Sequence, residues 1–389
     1  MIEIAASPSE PTRLANAAHA DLPHVLLILD EFPKALGGAE VIALRLAALL
    51  PQYGFRASIL SFHIYPNLAE LKSPPCNIYL LPITRTYDLT ALRAARELAR
   101  FIKQQNVKIV NTFFESSDLW AGFVTRTMTN ARLIWCRRDM GILRSPKHNA
   151  AYRLMSRAPH AVFAVSNQVR KHCIESDHID EKRVQTIYNG LDLSDWDLAT
   201  RQAKPPGEFL ITTVGHIRRV KGHDIFLKAA AAVLQHFPNV TFSIAGDVLE
   251  QDYFADLQAL IRDLGIANNI RFDGGVSNLR QHLANADIFV LPSRSEGFSN
   301  AIVEAMAASL PAVVTDVGGN AEAVQSGVTG FVVPSEDPRA LAAAILRLLS
   351  DPPLAQAMGR AGRDRAKERF TTTTMLTETA AAYLAVLST

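Results

Sequence analysis

The sequence holds few cysteines and no long hydrophobic run, and each lack excludes a class of protein. The three cysteines, Cys76, Cys136 and Cys173, lie far apart and form no Cys-x-x-Cys pair. Neither a disulfide framework nor a cysteine-based zinc site is therefore expected, and a reducing, cytoplasmic location fits better. No apolar stretch approaches the roughly 18 residues that cross a bilayer. The net charge is only +2, so the overall composition indicates no nucleic acid partner.

Length and composition leave room for two ordinary globular domains. The 389 residues are 48% hydrophobic and 20% charged, values typical of folded globular proteins. Apolar strand segments alternate with helical segments along most of the chain, which predicts an α/β fold of Rossmann-like domains with parallel sheets. Residues 1–22 are expected to form a loose tail, neither signal peptide nor anchor. Lys204-Pro-Pro-Gly207 marks a linker, so the domains are expected over 23–200 and 201–370.

Two glutamates share the stretch from Pro292 to Gly319. Glu296 lies in the loop EGFSN after a short apolar strand, and Glu304 lies in the helical pattern that follows. Both could line a crevice at the carboxyl end of a parallel sheet, towards which the helix points its first amides. Amides attract phosphate and carboxylates accept hydrogen bonds from hydroxyls, so the stretch suits a ligand that is part phosphate and part sugar. Alternatively, Glu296 caps the loop and Glu304 is a solvated helix residue.

Two further loops follow buried strands and carry features of anion sites. Gly37-Gly38 comes after the strand His24–Leu29 and before a helix, which fits either an anion-binding turn or a plain tight turn. The pattern is not Gly-x-Gly-x-x-Gly, so a nicotinamide-dependent oxidoreductase is not supported. Arg218 and Lys221 follow the strand Phe209–Val214, where cations either neutralise a diphosphate or belong to a solvated turn.

Basic residues are concentrated in the first half of the chain. Between Arg126 and Arg157 there are eight arginines and lysines against one acid, Asp139, a local excess of +7. A helix near 88–105 adds four cations on one face. These segments fit an anionic membrane surface, a phosphate site or ordinary solvated faces. A nucleic acid partner is not expected, because no binding motif accompanies the charge.

The run EGFSNAIVEAMA resembles the donor-binding motif of glycosyltransferase family 4. Further similarities follow in the family's order over nearly the whole chain, among them Gly37-Gly38 and the turn Tyr188-Asn-Gly190. The resemblance implies a GT-B fold, in which two Rossmann-like domains face a cleft. It also implies a retaining, metal-independent transferase that uses a nucleotide-sugar, with a UDP-sugar as the favoured donor. In relatives the last helix, here 371–389, returns to the first domain.

The resemblance also implies roles for individual residues. Glu304 would hold the ribose hydroxyls and Glu296 the hydroxyls of the donor sugar. Arg218, Lys221 and the amides of Phe298 and Ser299 would stabilise the departing diphosphate. The other residues expected at the donor are Gly37, Gly38, Gly215, Val276, Gly297 and Asn300.

The sequence departs from the family pattern near the acceptor. Many members carry a histidine after a strand near the reacting sugar, where this chain has Arg138 and Asp139. His216 stands where the family usually has an arginine, and Arg218 is assigned to the diphosphate instead. No general base is identifiable.

The expected acceptor is a glycan or lipid-linked hydroxyl in cell-envelope or exported polysaccharide synthesis. The expected location is cytoplasmic, with association at the inner face of the membrane. The alternatives are a nucleotide-sugar epimerase on the same fold, which would turn over without acceptor, and a binding module that lost catalysis.

Overall fold

The computed structural model describes residues 2–10, 12, 21–33, 36–66, 72–83, 88–141, 144–194, 196, 202, 204–205 and 207–389. The chain divides into two compact units, each built on its own sheet. One unit comprises residues 1–188 together with 373–389, and the other comprises 189–372. The predicted α/β class, with two Rossmann-like domains, is confirmed.

The first unit contains an eight-stranded sheet with helices between its strands. The strands follow the order β1-β4-β3-β2-β5-β6-β7-β8, in which only the β1–β4 pair is antiparallel. The elements are β1 (Glu3–Ala6), β2 (His24–Phe32), α1 (Gly38–Leu49), β3 (Arg56–Ile64), β4 (Ile78–Leu80), α2 (Leu89–Gln104), β5 (Val107–Thr112), a π-helical turn (Ser117–Ala121), α3 (Gly122–Met128), β6 (Arg132–Arg137), α4 (Pro146–Leu154), β7 (Ala161–Ala164), α5 (Asn167–Glu175) and β8 (Val184–Thr186).

Four residues of the predicted loose tail form a strand, whereas residues 1, 11 and 13–20 of that tail lie outside the described residues. Glu3–Ala6 forms the edge strand β1 and pairs with β4 through Glu3–Leu80 and Ile4–Tyr79. A four-residue edge strand is too short and too exposed to show the alternation that marks a strand in a sequence.

The last helix, α13 (Thr372–Ser388), contributes to the core of the first unit. The ring of Tyr383 is fully buried and lies 5.4 Å from the ring of Phe55. Its hydroxyl donates to Asn111 Oδ1 at 2.7 Å, which satisfies two buried polar groups at once.

The second unit is a six-stranded, all-parallel sheet in the order β11-β10-β9-β12-β13-β14. Numbered from its own first strand, this is the order 3-2-1-4-5-6 of dinucleotide-binding sheets. The elements are β9 (Phe209–Val214), α6 (His223–Leu234), β10 (Val240–Ala245), α7 (Gln251–Asp263), β11 (Ile270–Gly274), α8 (Leu279–Ala284), β12 (Ile288–Leu291), α9 (Asn300–Ala307), β13 (Ala312–Thr315), α10 (Asn320–Ala323), β14 (Gly330–Val333), α11 (Pro338–Ser350) and α12 (Pro352–Arg369).

The division between the units falls earlier than the predicted boundary at residue 200. The amide of Leu191 donates to the carbonyl of Phe370 at 2.8 Å, and the amide of Thr372 donates back to Leu191 at 3.1 Å. Gly190 packs so closely that an added Cβ would lie 2.4 Å from the carbonyl oxygen of Thr371. The chain after Tyr188 is therefore tied to the second unit before the proline-rich linker begins.

Candidate active site

The second sheet has its topological switch point between β9 and β12. The connection from β9 runs to one side of the sheet and the connection from β12 to the other, so their carboxyl ends border a crevice where such folds bind ligands. Two loops lie there: 215–222 after β9, and 292–299 after β12. They carry most of the residues that the sequence assigns to the donor.

Lys221 and Glu296 meet at this point. The Nζ atom of Lys221 lies 2.7 Å from Oε1 of Glu296. The side chains are 25% and 10% exposed, so the ion pair is screened less than one at the surface. Ser293, fully buried, donates its hydroxyl to the same Oε1 at 2.6 Å. Oε2 takes no part in either hydrogen bond.

The loop that carries Glu296 has its backbone fixed from the neighbouring strand. The hydroxyl of Thr315 donates to the carbonyl of Ser293 at 2.6 Å, and the amide of Gly319 donates to the carbonyl of Gly297 at 2.9 Å. Gly318 has φ +52°, and an added Cβ there would lie 1.7 Å from the carbonyl oxygen of Glu296. Only glycine allows this approach of the two loops.

The N-terminus of α9 adds the amides that the sequence predicts for phosphate binding. Phe298 and Ser299 are both 6% exposed, and Ser299 caps α9 without a hydrogen bond from its side chain. Asn300 Oδ1 accepts from Nδ2 of Asn189 at 2.6 Å. Glu304 is half-buried on α9.

Three more of the predicted donor residues lie at the same sheet edge, outside the ion pair of Lys221 and Glu296. Arg218 directs its Nε atom to Glu250 Oε1 at 3.3 Å, and both side chains are more than a third exposed. Gly215 follows β9, and the stem of Lys221 passes 3.5 Å from where its Cβ would stand. Val276 is half-buried in the loop after β11.

In the first unit, Gly37 and Gly38 open α1 as the sequence predicts. Gly37 is the N-cap, with extended backbone, and Gly38 begins the helix. The Glu40 side chain, 6% exposed, accepts hydrogen bonds from the backbone amides of Gly37 and Glu40 itself. Burial raises the pKa of Glu40, although these hydrogen bonds oppose the rise. The Glu40 carboxylate therefore binds the amide of Gly37, and the assignment of Gly37 and Gly38 to the donor stays a prediction.

Arg138 and Asp139 follow β6 in the first unit. Arg138 is half-buried, and Asp139 is exposed and accepts from the amide of Gly141 at 2.7 Å.

The predicted +7 segment is not a uniformly basic surface. Arg137 and Arg144 are only 3% and 8% exposed, and each has an Nη1 atom 3.0 Å from the carboxylate of Asp177. Asp177 belongs to the turn after α5, outside the counted segment. The excess of charge therefore overstates what reaches the surface.

Sequence reasoning missed Ser293 and Asn189 as supports of the site. Both are buried, and each places a functional residue through one hydrogen bond. A serine in a loop carries no sequence signal for such a role, and Asn189 is marked in the sequence only as part of the turn Tyr188-Asn-Gly190. Across the described ranges, no three His, Cys, Asp or Glu side chains are grouped to hold a metal ion.

The two Rossmann-like units define the GT-B class of fold, and comparisons with known proteins agree. Residues 36–195 match the family described as "Glycosyltransferase Family 4", and residues 194–365 match "Glycosyl transferases group 1". The chain belongs to this family of glycosyltransferases. The crystal structure of HepE from Anabaena, in complex with UDP and glucose, superimposes with a TM-score of 0.78 at 22% identity, over 93% of this chain and 100% of that one.

Curated relatives match mainly part of the chain. The glycogen synthase of Mycobacterium tuberculosis (strain CDC 1551 / Oshkosh) is 37% identical over 205 residues, 52% of this chain and 48% of that protein. The lipopolysaccharide core biosynthesis mannosyltransferase LpcC of Rhizobium leguminosarum bv. viciae is 36% identical over 156 residues, 40% of this chain and 44% of that protein. The chain thus spans about half the length of these relatives.

Proposed function

We propose that the protein is a retaining glycosyltransferase. It moves a sugar from a nucleoside-diphosphate sugar, with UDP-sugar as the favoured donor, to a hydroxyl of a glycan or lipid-linked acceptor. The reaction would take place in the cytoplasm, in cell-envelope or exported polysaccharide synthesis. The observation that carries the proposal is the pair of Lys221 and Glu296 at the switch point, beside the N-terminus of α9.

The chemistry of this group suits a sugar joined to a diphosphate. The ammonium group of Lys221 has three donors, so it can keep one hydrogen bond to Glu296 and offer the others to phosphate oxygens. Glu296 Oε2 would accept from the donor sugar, and Glu304 from the ribose. The named ligands of HepE, UDP and glucose, and the mannosyltransferase LpcC support a donor of this kind.

In the proposed reaction, the bond between the anomeric carbon and the diphosphate oxygen breaks. A bond between that carbon and the acceptor oxygen forms, and the acceptor proton passes to the leaving phosphate. Negative charge grows on the diphosphate, where Lys221, Arg218 and the amides of Phe298 and Ser299 would stabilise it. Arg218 would have to turn from Glu250, which its exposure permits. We propose that this positive charge replaces a metal ion.

A thermal-shift panel tests the donor site. UDP, GDP, ADP and NAD are compared on wild type and on Glu304→Gln. A ligand at 100 times its dissociation constant adds about 2.7 kcal/mol to stability, so we expect a clear shift with UDP. The shift should be much smaller in Glu304→Gln, because an amide accepts from the ribose less strongly than a carboxylate.

Glu368→Gln, an exposed change on α12 of the same unit, is the matched control and should respond to UDP as wild type does. A shift with NAD alone would contradict the transferase. Product analysis separates the alternatives: an epimerase converts the sugar nucleotide without acceptor, and a binding module shifts but releases no UDP.

A second proposal concerns a membrane surface. On α2, Leu89 and Leu92 are 77% and 50% exposed. Four exposed cations, Arg93, Arg96, Arg100 and Lys103, follow along that helix. Apolar side chains beside a basic face are typical of helices that lie on anionic bilayers. The proposed contact is peripheral. No helix within the described ranges is long and apolar enough to cross a bilayer.

Vesicle flotation tests this contact. We expect the protein to float with vesicles that contain phosphatidylserine and to stay behind with neutral ones. Each cation near the surface contributes about 1 kcal/mol, so reversing Arg96 and Arg100 to glutamate should weaken binding at least roughly thirtyfold. Arg262→Glu, exposed on α7 of the other unit, is the control. Equal flotation with both kinds of vesicle would contradict the membrane proposal, and the four cations would then form an ordinary solvated face.

A further inference from the structure

Arg294, in the loop between β12 and α9, joins three separate segments of the second unit. Its Nη1 and Nη2 atoms lie 2.8 and 2.9 Å from the two oxygens of Asp224, in the first turn of α6. Its Nε and Nη2 atoms donate to the carboxylate of Glu336, before α11. Nη1 also donates to the carbonyl of Arg219 at 2.8 Å. One guanidinium thus holds two carboxylates and a backbone carbonyl.

The backbone of the same residue fixes the two loops of the site to each other. The amide of Arg294 donates to the carbonyl of Val220 at 2.8 Å. Gly222 ends the turn with φ +67°, and an added Cβ would lie 2.1 Å from the carbonyl oxygen of Pro292. The turn 219–222 and the loop 292–299 therefore pack as a single piece.

The arrangement depends on an arginine and on a carboxylate that stays charged. Burial would raise the pKa of Asp224, but hydrogen bonds from Arg294 and Tyr253 outweigh burial and lower the pKa to about 2. Asp224 is therefore ionised at any ordinary working pH. A planar guanidinium can pair with two carboxylates at fixed angles, whereas a lysine ammonium at this position is a single flexible point charge.

We infer that Arg294 is a positioning residue, which holds the turn that carries Lys221 at a fixed distance from the loop that carries Glu296. Lys221 directly follows Val220, the backbone partner of Arg294, and Glu296 lies two residues beyond Arg294. The inference rests on the proposed function, since it assigns Arg294 a task in placing that site. Misplacing a reacting group by about 1 Å can reduce a rate by about 10²-fold.

The test is Arg294→Met in wild type and in Lys221→Ala. The readouts are the affinity for UDP (or for GDP or ADP, if the panel selects it) and the kcat and KM of the matching sugar nucleotide. We expect Arg294→Met to lower kcat at least tenfold, with a smaller change in KM. Arg294→Lys should recover little of the lost kcat, because a lysine cannot pair with both carboxylates at fixed angles. In Lys221→Ala, the added Arg294→Met should change kcat less than twofold. If Arg294 acts through Lys221, the effects of the two substitutions are not additive.

Two further variants keep the test independent of folding. Arg219→Met removes the neighbouring guanidinium, which pairs with the exposed carboxylate of Asp256. Its kcat should equal that of wild type. Glu336→Ala removes a partner whose side chain is 60% exposed and should lower kcat in the direction of Arg294→Met. Arg294 itself borders a surface cavity of about 510 Å³, so its replacement does not create a void in the core.

The outcomes separate this inference from the proposed function. If wild type binds and turns over a sugar nucleotide and Arg294→Met does the same, the inference is wrong and the proposed function stands. Multiplicative losses in the double variant would also overturn it, because Arg294 would then act independently of Lys221. If wild type binds no nucleoside diphosphate, the proposed function is wrong, and the inference is wrong as well because it rests on that function.

Discussion

We expect Lys221→Ala to lower turnover by about 10²–10³-fold, or about 2.7–4 kcal/mol of transition-state stabilisation. The diphosphate gains charge as the sugar departs, and Lys221 lies beside Glu296 in the crevice, with its Nζ atom 2.7 Å from Oε1. A fixed positive charge gives more to the transition state than to the bound donor, so kcat should fall more than affinity.

The same change should have a modest effect on stability. Lys221 is a quarter exposed, and its stem lies over Gly215 rather than in the core. Glu296 would lose its ion pair but keep the hydrogen bond from Ser293. The free energy of unfolding should therefore change far less than the activation free energy.

Release of the nucleoside diphosphate from the sugar nucleotide, measured beside a melting curve, checks this expectation. Lys367→Ala, an exposed lysine on α12, controls for the loss of a positive charge in the same unit. Unchanged turnover in Lys221→Ala would remove the phosphate assignment. A loss of turnover that only matches a loss of folded protein would do the same.

The strands and the site loops of the second unit could be predicted from the sequence because their signals are local. The predicted strand Phe209–Val214 agrees with the structure residue for residue. Strand order follows from rules of topology, so loops after apolar strands could be assigned to one sheet edge. Lys221 and Glu296 each follow such a strand in the sequence, and their roles stay predictions.

The contacts of the site could not be predicted, because they join residues far apart in the chain. Arg294 in the run PSRSEG resembles any charged loop residue, and its partners Asp224 and Glu336 lie 70 and 42 residues away. Arg218 likewise faces Glu250, 32 residues away. No periodicity or spacing marks such pairs, and only the packing of loops from several strands brings them together.

The same limit applies to the charge of the basic segment. A count of charges in a window treats every side chain as exposed, yet Arg137 ends a buried strand. Its Nη1 atom lies 3.0 Å from Asp177 and its Nε atom 4.0 Å from Asp118, and all three side chains are at most 3% exposed. Both acids come from outside the window. Two of the eight counted cations, Arg137 and Arg144, belong to an internal ionic cluster, whereas the other six are half-buried or exposed.

We expect Arg137→Met to destabilise the first unit by about 3–5 kcal/mol, the usual cost of removing one partner of a buried ion pair. Methionine fills much of the space but leaves Asp118 without its cation. The hydroxyls of Thr112 and Tyr152 would still donate to Asp118, but hydrogen bonds from neutral groups do not balance a buried charge. Hydrogen exchange of the β5 and β6 amides measures the loss in this unit alone.

The stability lost in Arg137→Met should depend on pH, and the pKa of Asp118 sets the direction of that dependence. Burial raises the pKa of Asp118 to about 7, even with Arg137 opposing the rise. In the variant the pKa rises further, because the opposing charge is gone. A carboxyl whose folded pKa exceeds its unfolded value binds a proton more readily when folded. It therefore contributes stability at low pH that is lost as the pH rises through the folded pKa. Arg137→Met should be less destabilised at pH 5 than at pH 8.

The double variant Arg137→Met/Asp118→Asn should recover part of the stability, because no uncompensated charge is left at Asp118. Arg132→Met, half-buried at the other end of β6, controls for the loss of an arginine from the same strand. Two results would contradict an electrostatic role for the cluster. One is that Arg137→Met lowers the free energy of unfolding no more than Arg132→Met does, and the other is that the loss is the same at pH 5 and pH 8. The Tyr152 ring of the cluster, which lies 4.5 Å from the Arg137 guanidinium and 3.8 Å from that of Arg144, would then be the part that stabilises it.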